Sequence, residues 1–349
     1  MHETWQEELA RAVTTEAELG TFVELTPAER EGIRACGPAF PMRISRYYAG
    51  LMDPGDPACP IRRQVIPSLG ELRDSAGVPD PIGEEAGTVA PNLIRLYTDR
   101  VAWCVSGTCA ANCRFCFRKR AGGGDFSASA ARRALEYISR SPEIRDVLIT
   151  GGEPLLLSDQ ALDAILSDVR RIPHVEIVRI GTRVPVTLPA RITPGLCGML
   201  KKHHPLWINT HFNHPRELTP AALQACAMLA DSGIPLGNQS VLLRGVNDGI
   251  GIMKSLVQGL VKARIRPYYM FQCHLSFGTS EFRTPIETGL SIATGLRGST
   301  TGFAVPVYIV DTPKGKIAVN PETVVSRDAE AFLLRSPDGT VWRESNPRE

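Results

Sequence analysis

Three thiols on one short loop constrain this chain more than any other feature. The stretch is Cys109-Ala110-Ala111-Asn112-Cys113-Arg114-Phe115-Cys116, with spacing C-x3-C-x2-C and an aromatic residue just before the last cysteine. A closed iron–sulfur or structural zinc centre takes four protein ligands. Three thiolates so close in sequence hold three corners of an iron cubane and leave the fourth iron to a non-protein ligand. Two plainer readings stand beside this one: a zinc site with a distant fourth ligand, or a chance group of buried thiols. No Cys or His pair at zinc spacing lies nearby to support the first.

The rest of the composition narrows the class. A chain of 349 residues with 43% hydrophobic content fills a sizeable core. Its formal net charge of +2 carries no signature of a nucleic-acid or membrane-surface partner. No apolar run is long enough to span a bilayer, and the acidic start, Trp5-Gln6-Glu7-Glu8, is unlike a secretory signal. Nine cysteines are too few for a disulfide scaffold, and an oxidised Cys109 could not bind iron, so a reducing cytoplasm is expected.

The first hundred residues read as helical and irregular. Thr26-Pro27-Ala28-Glu29 predicts a helix start, with Thr26 as N-cap, Pro27 at the first position and Glu29 reaching back. Prolines and glycines interrupt 53–81, which predicts an extended arm on the main body. Beyond residue 101, β-branched runs at 101–105, 146–150, 175–181, 206–211, 236–241 and 267–273 alternate with amphipathic segments at 131–140, 160–171, 194–202, 220–231 and 252–263. Six strands with helices between them predict an α/β fold with a parallel sheet curled into a partial barrel; a full eight-fold barrel is the alternative. In such sheets the site lies beyond the carboxyl ends of the strands, where the cysteine loop falls. After residue 284 a helix leads to a last strand at 305–310 and a glycine-containing loop, and 329–349 reads as an exposed hairpin or tail. The boundaries expected are 1–98 for the arm, 99–275 for the barrel and 276–349 for a C-terminal segment.

Two motifs join the thiols. Gly151 and Gly152, in Thr150-Gly151-Gly152-Glu153-Pro154, end the second strand and allow a tight turn whose backbone can meet a ligand's amino group. Lys316, in Asp311-Thr312-Pro313-Lys314-Gly315-Lys316, is either a solvated charge or an amine presented to pyridoxal phosphate.

Cys109, Cys113, Phe115 and Cys116 resemble the signature of radical S-adenosylmethionine enzymes. With the GGEP stretch and the run from Tyr268-Tyr269 to Pro321, the chain resembles the lysine 2,3-aminomutase family over about 5–335. That resemblance implies a partial (β/α)6 radical SAM barrel with a helical N-terminal arm and a C-terminal extension carrying a pyridoxal lysine. It implies a [4Fe–4S] cluster on Cys109, Cys113 and Cys116, S-adenosylmethionine at its open iron, and pyridoxal 5′-phosphate.

By the same resemblance Phe115, Gly151, Gly152, Glu153, His211 and Gln239 contact S-adenosylmethionine, Glu153 standing where many members carry Asp. Lys316, five residues before Pro321, matches the pyridoxal lysine; the loop is two residues shorter than the family's, so Lys314 stays a rival. Tyr97 and Arg100 match phosphate-binding positions, while a second family arginine falls at Leu96, beside Arg95. Arg118 matches the binder of the substrate carboxylate, or belongs with Lys119 and Arg120 to a basic surface patch. Lysine-specific members hold the distal ammonium with two aspartates. Asp311 keeps one, and His274 occupies the other position. Imidazole in place of a fixed anion disfavours a compact ammonium more than a planar guanidinium.

The expected activity is thus a 2,3-aminomutase acting on a free basic amino acid, arginine ahead of lysine, with a lysine enzyme as the alternative. Post-translational β-lysine formation on a translation factor, a radical enzyme without pyridoxal phosphate, and a non-catalytic metal-binding module remain open. A one-electron donor such as flavodoxin or ferredoxin and a homo-oligomer are expected. An intersubunit zinc site is not, because Gly249 follows Arg244-Gly245-Val246-Asn247-Asp248 and no cysteine follows Cys273. Cys36, Cys59, Cys104, Cys197, Cys226 and Cys273 are expected as small buried hydrophobes.

Overall fold

In the computed structural model, which describes residues 4–119 and 124–347, the strands pair in chain order. They are β1 (Thr88–Ala90), β2 (Leu93–Ile94), β3 (Arg100–Ser106), β4 (Asp146–Gly151), β5 (Ile177–Gly181), β6 (Leu206–Thr210), β7 (Leu236–Leu242), β8 (Ile265–Gln272), β9 (Val307–Thr312) and β10 (Gly315–Ala318). Together they form one ten-stranded sheet. Neighbours from β3 to β9 are parallel, and β1, β2 and β10 are antiparallel additions at the two ends. Each parallel pair needs a crossover, and right-handed crossovers curl a twisted sheet toward a barrel.

The expected count of six parallel strands is short by one. Strand β9 pairs with β8 through Tyr269↔Val307 and Phe271↔Ile309, so the sheet runs past residue 275. Its apolar run reads the same whether the strand joins the main sheet or stands apart, and the long connection from β8 hides the partnership. The eight-fold alternative is not formed either, because the ladder stops at β1 and β10. Between those ends the Tyr97 hydroxyl accepts a 2.9 Å bond from the Lys316 amide, linking the β2–β3 connection to β10.

Alternation sets the two faces. Val147, Ile149, Val178 and Ile180 are fully buried against helices that contribute Ala134, Ile138, Leu162 and Leu166. Asp146, Leu148, Thr150, Ile177, Arg179 and Gly181 are half-buried on the opposite face. Parallel strands are usually buried on both sides. Here the inner face is left accessible, as a ligand-holding barrel requires.

The first hundred residues carry short helices separated by irregular stretches. The helices Trp5–Ala10, Glu16–Leu19 and Pro27–Cys36 each start with a capping box, made by Thr4/Glu7, Thr15/Glu18 and Thr26/Glu29. The 53–81 stretch is less extended than expected, since Pro60–Val65 and Gly70–Arg73 are short helices. Beyond β10, β11 (Val324–Arg327), β12 (Ala331–Arg335) and β13 (Val341–Ser345) make a three-stranded antiparallel sheet that buries Phe332 and Leu334, so the end is more than a hairpin or tail. No helix among the described residues is long and apolar enough to cross a membrane.

Candidate active site

The cysteine loop leaves the carboxyl end of β3 and is tied to the arm at both margins. The Asn112 amide donates to the Arg43 carbonyl and the Arg114 amide to the Gln64 carbonyl, both at 2.8 Å. The Arg114 side chain points away from the thiols and pairs with buried Glu71 at 2.6 Å, and Lys119 joins the same carboxylate at 2.9 Å. Arg120, the last of the basic run, lies outside the described residues. Burial pushes the Cys109 thiol well above its ordinary value, and Cys116 and Cys113 add to the rise. Burial and then Cys113 raise Cys116 likewise. Thiolates that disfavour one another need positive charge among them, and this set fits an iron cluster on that ground. Among the described residues no group of three or more His, Cys, Asp or Glu draws close enough to hold a single metal ion.

The glycine pair packs against the run-in to that loop. Gly151 has φ +126°, and a Cβ there would stand 2.5 Å from the Ser106 carbonyl oxygen; one on Gly152 would meet Thr108 at 2.7 Å. The Gly152 and Glu153 amides donate to Ser106 and Thr108, leaving carbonyls as the groups an ammonium can use. Glu153 is buried, and its carboxylate accepts from the Thr182 hydroxyl at 2.7 Å and the Arg183 amide at 2.8 Å. Burial raises it to about 7. It therefore braces the turn after β5 in addition to any ligand contact.

His211 stands just past β6, its ring 5.6 Å from that of Phe115. Burial and then Arg183 lower it to about 3, so it is neutral, and its buried Nε2 has no partner. A buried polar atom without a partner beside the cysteine loop fits a cofactor pocket whose ligand would supply that partner. Gln239 lies half-buried at the register shift in β7, opposite Tyr269.

Lys316, Asp311 and His274 come together across β10, β9 and the end of β8. Lys316 Nζ lies 3.1 Å and His274 Nε2 3.7 Å from Asp311 Oδ2. The amine also stands 5.7 Å from the Tyr97 ring and 5.6 Å from that of Phe271. Lys314 is exposed on the β9–β10 turn. Burial works against ionisation of Asp311, but His274 and Lys316 hold it below the usual carboxylate range. Arg100 stacks on Tyr97 at 3.7 Å and pairs with Asp99 at 2.8 Å. Arg95 is spent elsewhere, on Tyr137, Thr98 and Glu143, and does not stand in for the arginine missing at Leu96.

Arg118 is drawn inward and does not form a surface patch. Its fork encloses the Glu84 carboxylate, with Nε 2.9 Å from Oε2, and Nη1 lies 3.4 Å from the Thr150 hydroxyl. Phe117 touches both groups, with the Arg118 guanidinium 4.9 Å from its ring centroid and the His274 ring 4.7 Å away.

The sequence reading passed over Glu84, Phe117, Phe271 and Arg183. Phe117 adjoins Cys116 and Phe271 lies in the run that begins at Tyr268, so both carried a signal; Glu84 and Arg183 sit in segments without a motif. Of the cysteines expected to be buried, Cys104 is half-buried and close enough to Arg118 and Glu84 to feel their charges, because it lies on the accessible face of β3.

Residues 103–251 match the family model described as the Radical SAM superfamily, and residues 293–349 the one described as Lysine-2,3-aminomutase. The chain is 47% identical to an L-lysine 2,3-aminomutase of Clostridium subterminale, over 98% of its own length and 84% of that protein's. It is 46% identical to an L-lysine 2,3-aminomutase of Fusobacterium nucleatum, over 99% and 82%. A glutamate 2,3-aminomutase of Clostridioides difficile is 45% identical, over 97% and 81%.

Proposed function

The chain belongs to the lysine 2,3-aminomutase family of the radical SAM superfamily, and from that premise we propose that it moves the α-amino group of a free basic L-amino acid to C3, taking arginine ahead of lysine. As a member of that family it is an isomerase that uses a [4Fe–4S] cluster, S-adenosylmethionine and pyridoxal 5′-phosphate. When bound, these groups supply the radical that takes a hydrogen from C3 and the carrier for the migrating nitrogen.

In this reading Cys109, Cys113 and Cys116 hold the cluster. Phe115, the Gly151 and Gly152 carbonyls, Glu153, His211 and Gln239 surround S-adenosylmethionine. Lys316 binds pyridoxal phosphate, since its amine faces Tyr97 and Phe271 while Lys314 faces solvent. Tyr97 and Arg100 take the phosphate. Arg118 takes the substrate carboxylate through Nη1, the end of its guanidinium that Glu84 leaves unengaged, while Nε and Nη2 donate to Glu84 and fix the plane of the fork.

The observation that carries the substrate class is the Asp311–His274 pair, whose imidazole lies against Phe117. One anion and one orphaned imidazole nitrogen face the distal end of a substrate anchored at Arg118. A guanidinium has donors for Asp311 and remains charged whatever the imidazole does. An ammonium concentrates its charge at one point and loses more when the second carboxylate is replaced by histidine. The reading also calls for a one-electron donor of the flavodoxin or ferredoxin kind and a reducing cytoplasm that keeps the thiols free.

The test is anaerobic reconstitution followed by assay of free arginine, lysine, ornithine and glutamate for β-isomers. Arginine should turn over fastest, and His274→Asp should shift the preference toward lysine. Faster turnover of lysine by the unaltered protein would overturn the substrate reading, and no turnover of any free amino acid would favour a protein substrate.

A further inference from the structure

We propose that Arg183 is a positioning residue for the iron–sulfur cluster, donating a hydrogen bond to the Cys113 sulfur that raises the cluster's reduction potential, with Glu217 as its counter-charge. The proposal rests on Cys113 being a cluster ligand and goes beyond that reading in assigning what tunes the cluster.

Arg183 stands two residues past β5, and its side chain is only 9% exposed. A guanidinium buried this far must spend its donors. Nη1 points at Cys113 Sγ, 2.7 Å away. Nη2 donates to the Tyr48 hydroxyl at 3.0 Å, Gln64 Oε1 at 2.6 Å and Glu217 Oε1 at 2.8 Å. Nε donates to the His211 carbonyl at 3.3 Å. Glu217 is fully buried, and its other oxygen accepts from the Asn213 and His214 amides.

The ion pair thus has a direction. Its positive end meets a ligand sulfur, while its negative end lies behind, held by backbone amides and by Tyr48 and Gln64 of the arm. A salt bridge needed for packing alone could have directed both Nη groups at carboxylate and carbonyl oxygens. The electron added on reduction is shared with the thiolate sulfurs, so an N–H donor at the sulfur favours the reduced form. Removing the cation leaves Glu217 as an uncompensated buried anion near the cluster, which favours the oxidised form. Neutralising Glu217 leaves the cation unopposed and acts the other way. The pair therefore predicts shifts of opposite sign.

The experiment is a redox titration followed by electron paramagnetic resonance, on anaerobically reconstituted full-length protein without S-adenosylmethionine or substrate. Arg183→Gln should lower the ratio of reduced to oxidised cluster at a fixed potential about tenfold, which for one electron is about 59 mV. Glu217→Gln should raise that ratio, and Arg183→Lys, which keeps the charge but not the fork, should fall between Arg183→Gln and the unaltered protein. Shifts of the same sign in Arg183→Gln and Glu217→Gln, or none in Arg183→Gln, would overturn the proposal. Should Arg183→Gln fail to fold, the sign of the Glu217→Gln shift decides alone: a rise supports the proposal, and a fall or no change overturns it. Iron content of Cys113→Ala tests the underlying assignment separately, because full iron there would remove Cys113 from the cluster whatever Arg183 does.

Discussion

Lys314 and Lys316 stand two positions apart and face different surroundings, one on an exposed turn and one against Asp311. Lys316→Ala should abolish both turnover and the absorbance of bound pyridoxal phosphate. Lys314→Ala should keep both and change stability by less than about 0.5 kcal/mol, as surface substitutions do. The converse result would move the pyridoxal site to Lys314. Their spacing alone could not separate them, because the loop is shortened; the register sets Lys316 opposite Asp311, which supports the choice of Lys316.

Glu153 gives a pH signature. Burial raises its carboxyl from 4.5 to about 7. Its contribution to stability is complete below pH 4.5 and is lost as pH rises through about 7. The melting temperature of the metal-free chain should drop between about pH 5 and about pH 8, and Glu153→Gln should flatten that slope. An unchanged slope would show that Glu153 does not carry it.

At the scale of the element, the cysteine loop depends on the arm for its shape. Glu71 has no accessible side-chain surface and holds Arg114 and Lys119 together. Glu71→Ala leaves two buried cations without their anion, and breaking a buried pair costs about 3–5 kcal/mol. Chemical denaturation should register that loss, with a parallel loss of reconstituted iron. A variant with normal stability and iron would show that the loop keeps its form without the arm. The C-x3-C-x2-C spacing was legible in the sequence because the three thiols are local. Glu71 was not, since it lies in a stretch broken by prolines and glycines and its partners are more than forty positions away. Strands β1 and β2 were missed for a related reason, being two or three residues long around Pro91 and Asn92, the latter at φ 58°.

At the scale of the whole molecule, arm and barrel share one core. Val13, Leu19 and Tyr48 of the arm belong to the same buried cluster as Val147 and Val178 of the sheet and Phe332 of β12. Unfolding should therefore be a single transition, the same by far-ultraviolet circular dichroism and by tryptophan fluorescence; two separated transitions would show independent units. The parallel pairing could be read from sequence because alternating β and α segments supply the crossovers that parallel neighbours require. Where the sheet ends could not, because the pairing of β9 and the link between Tyr97 and Lys316 depend on contacts far apart in the chain.

At the centre stands one proposed arrangement: Cys109, Cys113 and Cys116 hold the cluster and leave one iron open to S-adenosylmethionine. Electron paramagnetic resonance of the anaerobically reconstituted, dithionite-reduced protein, recorded without and then with S-adenosylmethionine, tests it most directly. A [4Fe–4S]⁺ signal whose g-values move when S-adenosylmethionine is added is the predicted result; a cubane signal that does not change, or no cubane signal at all, would contradict it.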